Sequence, residues 1–153
     1  MTEFDEIDLR ILRALQDDGR ITNQDLAQLI HLSPAACSER VRRLREREVI
    51  AGYTALVDPV KVGLPLLIFV EVSLEKTTAA QFSEFAAAIR RSPEVLECHM
   101  VAGGFDYLIK ARVKDMAAYR QFLGQTLVEL PGVRETRTYA VLEEVKATSR
   151  LPL

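Results

Sequence analysis

The chain has 153 residues, 48% apolar and 27% charged, with 20 Lys and Arg against 22 Asp and Glu; this globular composition excludes a disordered chain, and the near-balanced charge excludes a uniformly basic nucleic-acid binder. The longest apolar run, Leu64 to Val70, contains a proline and falls far short of the roughly 20 residues of a membrane span, so no membrane partner is expected. The acidic stretch Met1 to Asp8 lacks the features of a secretory signal, which predicts a cytoplasmic protein whose two cysteines, Cys37 and Cys98, stay free as small buried hydrophobes.

Ile7, Ile11 and Leu15 recur every fourth residue beside Leu12, which predicts a first helix over 6–17, stopped at Asp18-Gly19 by a glycine able to take positive φ. Thr22 or Asn23 can cap a second helix with Leu26, Ala27 and Ile30 inward, ending near His31. Ser33-Pro34 then pairs a capping hydroxyl with proline at the first helical position and starts a third helix, whose inward seam is Cys37, Val41 and Leu44. Val49, Ile50, Tyr53, Ala55 and Val57 around Gly52 predict short extended strands, a small wing. The periodicity changes at Asp58-Pro59, giving a first domain over 1–57, a wing and linker over about 49–65, and a second domain over 66–153.

In the second domain a β-rich run over 66–74 precedes a helix with Phe82, Phe85, Ala86 and Ile89 on one stripe. Val95 to Ala102 and Asp106 to Val113 predict two strands joined at the turn Gly103-Gly104. Asp115 caps a helix burying Tyr119, Phe122, Leu123 and Leu130, which Pro131-Gly132 ends, and a last strand is expected over about 133–145. The order β-α-β-β-α-β is the ferredoxin-like split unit, so the fold class is α+β, a winged helix-turn-helix followed by a ferredoxin-like domain. Helices cover only one face of such a sheet, yet Leu67, Phe69, Tyr139 and Val141 point to the other, which predicts that a second copy covers it in a homodimer.

Charge placement points to function. Between Arg40 and Arg47 lie five arginines and one acid, Glu46, a local charge of +4 in eight residues. Two short helices joined by a tight segment, the second basic and followed by a wing, have the layout of a helix-turn-helix that docks in the major groove of double-stranded DNA. Ser33 and Pro34 set the helix start; Ala35, Ala36 and Ser38 are small enough to approach base edges, and Glu39 can accept from cytosine. Arg40, Arg42, Arg43 and Arg47 suit phosphates, and each phosphate neutralised adds roughly 0.9 to the log–log salt slope. The alternative is a solvated helix face.

Asp8-Leu9-Arg10-Ile11-Leu12, Asp17-Asp18-Gly19-Arg20, Leu32-Ser33-Pro34, Arg40-Val41-Arg42-Arg43-Leu44 and Ile50 with Gly52-Tyr53 in the first half, and Glu97-Cys98-His99, Gly103 with Phe105-Asp106-Tyr107 and Leu130-Pro131-Gly132-Val133 in the second, resemble the leucine-responsive regulatory protein/asparagine-regulator (Lrp/AsnC) family, its leucine-responsive branch in particular. The resemblance spans nearly the whole chain. It implies a transcription regulator of amino-acid metabolism with an effector-binding, RAM-type αβ-sandwich domain, whose dimers assemble to octamers or related rings. It also implies a small amino-acid effector between dimers: Gly103 and Gly104 cradle its carboxylate, Asp106 holds its ammonium, and Met100, Met116, Tyr139, Ala140 and Val141 form the pocket wall. The chain departs from that branch at Gly104, where an acid is usual, at Ala140, where a larger apolar residue is usual, and in its acidic N-terminal stretch. On the residues alone, Gly103-Gly104 is a hairpin turn and Asp106 a turn cap. His31 and His99 lack partners at metal-ligand spacing, and no catalytic constellation or cofactor loop is present, so neither an enzyme nor a metal or cofactor site is expected. The rival reading is an amino-acid-sensing module acting on a partner protein or enzyme; it leaves residues 1–57 without a role.

Overall fold

The computed structural model describes residues 4–153. The chain forms two compact units, one reaching to Leu56 and taking in Ala147–Leu153, the other spanning Val57–Lys146.

The first unit contains α1 (Glu6–Asp17), α2 (Asn23–Ile30) and α3 (Pro34–Glu46). Each begins at a side chain that satisfies an orphan backbone N–H: Asp5 accepts from Asp8, Thr22 from Asp25 and Ser33 from Ala36. Asn23 Nδ2 also donates to the Pro34 carbonyl at 2.9 Å, so the starts of α2 and α3 are tied directly. The turn between them bends through His31, which adopts the left-handed conformation at φ 59° and donates its N–H to the α2 carbonyls. Gly19 is not in that conformation; α1 ends on an extended Asp18, and a Cβ at Gly19 would lie 3.2 Å from the Tyr53 ring. Ile11, Leu12, Ala14, Leu26, Ala27, Ile30, Cys37 and Leu44 form the core, flanked by Ile7, Leu15 and Val41. After α3, Val49 and Ile50 turn back onto the Leu44 carbonyl and close that core. The wing strands expected over 49–57 do not form. Residues 51–57 carry no strand and are exposed, because the unit that holds α1–α3 has no strand to share a ladder with them.

The second unit contains β1 (Leu66–Leu74), α4 (Ala79–Ile89), β2 (Val95–Met100), β3 (Tyr107–Val113), α5 (Met116–Phe122), a π-helical turn (Leu123–Leu127) and β4 (Val133–Ala140). The sheet order is β2-β3-β1-β4 with antiparallel neighbours, the ferredoxin-like arrangement. Ile68, Val70, Val72 and Leu74 of β1 and Tyr107, Ile109, Ala111 and Val113 of β3 face the helices, whose Phe85, Ile89, Tyr119, Phe122 and Leu127 complete the core. Phe85 stacks on Tyr107 with ring centroids 4.4 Å apart, the preferred offset geometry of two buried rings. β4 is shorter than expected. Pairing reaches Ile68 with Ala140, and Val141 N–H still reaches the Leu67 carbonyl, but β1 begins at Leu66 and offers little beyond.

The other sheet face differs from the apolar face expected. Leu67 is already buried within this chain, and Phe69 shares the face with polar pairs: Lys110 with Glu97 at 2.8 Å, Arg137 with Glu135 at 3.0 Å, Arg112 with Glu144, and the Tyr139 hydroxyl donating to Glu71 at 3.1 Å. The reason is register. Glu97 lies across from Lys110 and pairs with it, while Glu71 lies across from Arg137 and takes the Tyr139 hydroxyl as Arg137 takes Glu135, so polar side chains find partners along this face.

Candidate functional site

The basic run folds into the C-terminal half of α3 and its C-cap, Arg47, and the helical period sends its arginines in different directions. Arg40 turns inward. Its Nη1 lies 2.7 Å from Asp5 Oδ2 and 2.7 Å from Asp8 Oδ1, and Asp8 is itself buried. Its place in the basic run predicts a phosphate contact; the geometry makes it a tie between α3 and the start of α1, because an inward-facing cation requires a counter-charge. Arg42 is exposed but engaged within its own helix, donating to Glu39 at 2.6 and 2.9 Å and to Glu46. Those bonds hold the Glu39 carboxyl below its usual range and raise the Arg42 pKa. Glu39, expected to read a base, is therefore occupied by Arg42 in the unbound chain. The Arg47 guanidinium lies 5.3 Å from the centre of the Phe4 ring.

What remains on the outer surface is coherent. Ala35, Ala36 and Ser38 are exposed in the first turns of α3 beside Glu39, at the helix start fixed by Ser33 and Pro34. Among the described residues, Arg43 and Arg45 are exposed and make no hydrogen bond or ion pair. Arg45 was absent from the expected contact set; it lines a cleft with Ser38, Val41, Ile50, Gly52 and Tyr53, and only the path of residues 50–53 past α3 reveals that placement.

The second group of expected residues divides into two places. The β2–β3 connection occupies residues 101–106 rather than a two-residue turn, closed by Val101 N–H on the Asp106 carbonyl. It is stapled across the end of β1: Asp106 N–H donates to the Val72 carbonyl at 3.0 Å, and Asp106 Oδ2 accepts from Leu74 N–H at 2.7 Å. Asp106 thus fixes the loop, as a turn aspartate does, with one carboxylate oxygen. Gly103 and Gly104 are exposed with normal φ, and a Cβ at either would meet nothing within 4 Å, so their backbone is open to an approaching group. Gly104 borders a cleft of about 210 Å³ with Glu71, Ser73, Phe105, Arg134, Glu135 and Arg137. Met100, opposite Tyr107, lies at this end of the sheet.

Tyr139, Ala140 and Val141 lie at the other end, beside Phe69, Ile68 and Leu67. Met116 opens α5 just after Val113, which pairs with Leu66 at that same end. From Val72 to Ile68 is four strand residues, about 13 Å at the usual strand rise. Within one chain the glycine loop and the backbone of the expected wall therefore lie apart, and only the Tyr139 hydroxyl reaches toward the loop, bonding Glu71 on the rim of the Gly104 cleft. Among the described residues no group of three or more His, Cys, Asp or Glu is placed to hold a metal ion, and no helix is long and apolar enough to cross a membrane.

The family model for winged helix-turn-helix DNA-binding matches residues 4–51, and that for the Lrp/AsnC ligand binding domain matches residues 67–151. The chain belongs to the Lrp/AsnC family. It is 52% identical to the leucine-responsive regulatory protein of Salmonella typhimurium over 149 residues, covering 97% of this chain and 91% of that one, and 51% identical to its counterpart in Escherichia coli K12 with the same coverage. Among solved structures, a transcriptional regulator of Neisseria meningitidis in complex with L-methionine superposes with a TM-score of 0.93 at 38% identity, covering 97% of this chain and 96% of that one. An AsnC family regulator of Agrobacterium tumefaciens gives 0.93 at 32% identity, with 97% of each chain covered. The family assignment places α2 and α3 in a DNA-binding domain and the β1–β4 sheet in a ligand-binding domain.

Proposed function

We propose that the chain is a sequence-specific transcription regulator of amino-acid metabolism, not an enzyme, whose occupancy of promoter DNA responds to a small amino acid. The observation that carries the reading is the outer face of α3, where small side chains at its start adjoin arginines left without intramolecular partners. Ala35, Ala36 and Ser38 are positioned for base edges, with Glu39 released to cytosine only when Arg42 moves to a phosphate. Arg43 and Arg45 bind phosphates, with Arg47 beside them. The effector, an amino acid such as leucine or methionine, sits where the Gly103–Asp106 loop of one copy meets the Met116 and Tyr139–Val141 wall of another. The 13 Å separation within one chain supports this, since neither half encloses a ligand alone. L-methionine in the Neisseria relative supports the ligand class. Dimers that pair into octamers or related rings would bring such halves together, and effector binding would act by favouring one assembly over another.

The salt dependence of DNA binding tests the head. Arg43→Ala and Arg45→Ala should each weaken binding to every sequence and lower the log–log salt slope by about 0.9. An unchanged slope would remove phosphate contact from these residues. A thermal-shift screen against the twenty amino acids tests the effector, since a ligand at 100 times its dissociation constant adds about 2.7 kcal/mol of stability. A flat result across all twenty would overturn that part of the reading.

A further inference from the structure

The chain crosses between its two units twice, once at Leu56–Val57 and again at Lys146–Ala147. Residues 147–153 carry no helix or strand, yet they belong to the compact unit that holds α1–α3. Three side chains on the C-terminal half of α1 receive them. Gln16 makes a two-way amide pair with Leu151, its Oε1 accepting from Leu151 N–H at 2.6 Å and its Nε2 donating to the Leu151 carbonyl at 3.3 Å. Arg13 Nε donates to the Leu153 carbonyl at 2.9 Å, and Arg150 Nη2 pairs with Asp17 Oδ1 at 2.5 Å. The amide pair reproduces the backbone-to-backbone pattern of a β-bridge, so it recognises main chain in an extended conformation rather than one side chain.

The other end of this segment is anchored as well. Val141 N–H holds the Leu67 carbonyl at 3.0 Å, and Arg112, mostly buried beneath the sheet's polar face, pairs with Glu144. Five residues lie between the Glu144 anchor and the Arg150 anchor. The run from the expected effector wall at Tyr139–Val141 to the DNA-binding head is thus a short tether, fixed at both ends.

We propose that residues 147–153 are a strap docked on α1 of the chain's own head, and that it is the route by which displacement of β4 by an effector biases the head. The coupling half of this statement rests on the effector reading given above; the docking half does not. The strap gives the head a second attachment along the chain beside the 51–57 segment, so a shift of β4 is passed to α1 through a short anchored run.

Hydrogen–deuterium exchange of the intact chain tests docking. The Leu151 amide should exchange slowly, and Gln16→Ala should speed it at least about fivefold, the factor corresponding to loss of one ordinary hydrogen bond. Asp17→Arg should also raise the rate, and Asp17→Arg combined with Arg150→Asp should restore protection. Exchange of the wild-type Leu151 amide at the free-peptide rate overturns docking. DNA affinity with and without 10 mM L-methionine or L-leucine, measured on the same variants, tests coupling. The strap predicts that affinity without amino acid stays within about twofold of wild type, that the response to amino acid shrinks in Gln16→Ala and Asp17→Arg, and that the charge swap recovers it. A full response with Leu151 deprotected overturns coupling. A wild-type chain that responds to neither removes leucine and methionine as the effector and with them the coupling half as tested, and exchange then decides the strap by itself.

Discussion

Replacing Arg40 with methionine separates a structural arginine from a DNA-contacting one. Methionine keeps an unbranched stem of similar length, so the change removes charge and hydrogen bonds more than packing. The Asp8 arm is a charge-assisted bond of 2.7 Å between side chains only 22% and 10% exposed, which places it near the middle of the 1.5–3 kcal/mol range for hydrogen bonds to charged groups, about 2 kcal/mol. The Asp5 arm adds well under 1 kcal/mol, since Asp5 is half exposed and solvent screens the pair. Removing the cation also leaves Asp8 buried without its partner, so the loss should not fall below that figure. For a domain of this size about 2 kcal/mol corresponds to a fall of about 8–16 °C in the head's melting temperature. The chain has no tryptophan. Amide exchange of α1 and α3 in increasing urea reports head opening separately from the sheet domain. Arg40→Met should lower the urea midpoint of those amides while DNA affinity of the folded protein at 25 °C and its salt slope stay near wild type. A lowered salt slope with an unmoved urea midpoint would refute the argument and return Arg40 to the phosphate set.

Three further outcomes follow from local chemistry. The backbone N–H of Asp8 and the Arg40 guanidinium hold the Asp5 carboxyl below 3.8, so its contribution is present above about pH 4 and is lost as pH falls through its lower folded value. Asp5→Asn, which keeps the helix cap, should flatten the pH dependence of head stability below about pH 4, and an unaltered acid limb would contradict that assignment. Burial pushes the Cys98 thiol up to about 11, leaving about one part in a thousand as thiolate at pH 8, so iodoacetamide should modify the native chain far more slowly than the urea-unfolded one; equal rates would contradict the burial. Gly132 sits at φ 73°, where a Cβ would come within 2.3 Å of Gln81, so Gly132→Ala should cost about 1–3 kcal/mol, and adding Gln81→Ala should recover only part, leaving the backbone strain. Full recovery in the double variant would show that the clash alone mattered.

Periodicity and capping chemistry were sufficient to place the helices of both units, because those signals are local. The i, i+4 spacing of Ile7, Ile11 and Leu15 matches α1, the Ser33-Pro34 pair matches the start of α3, and Asp115 caps α5 as its sequence context requires. The βαββαβ order and the family resemblance were likewise legible, the one from the alternation of periods and the other from motifs spread along the chain. Three features were not. Which arginine of α3 turns inward depends on where Asp5 and Asp8 arrive from some thirty residues away. Whether Asp106 serves a ligand or the loop depends on β1 passing close enough for Leu74 N–H to reach its carboxylate. That residues 147–153 join the head depends on Gln16 and Arg13 meeting a stretch with no periodicity of its own. The sequence by itself determines what is read within a turn or two of helix or along a strand, since those interactions span neighbours on the chain. Pairings across a hundred residues are decided only when tertiary packing brings their partners within hydrogen-bonding distance.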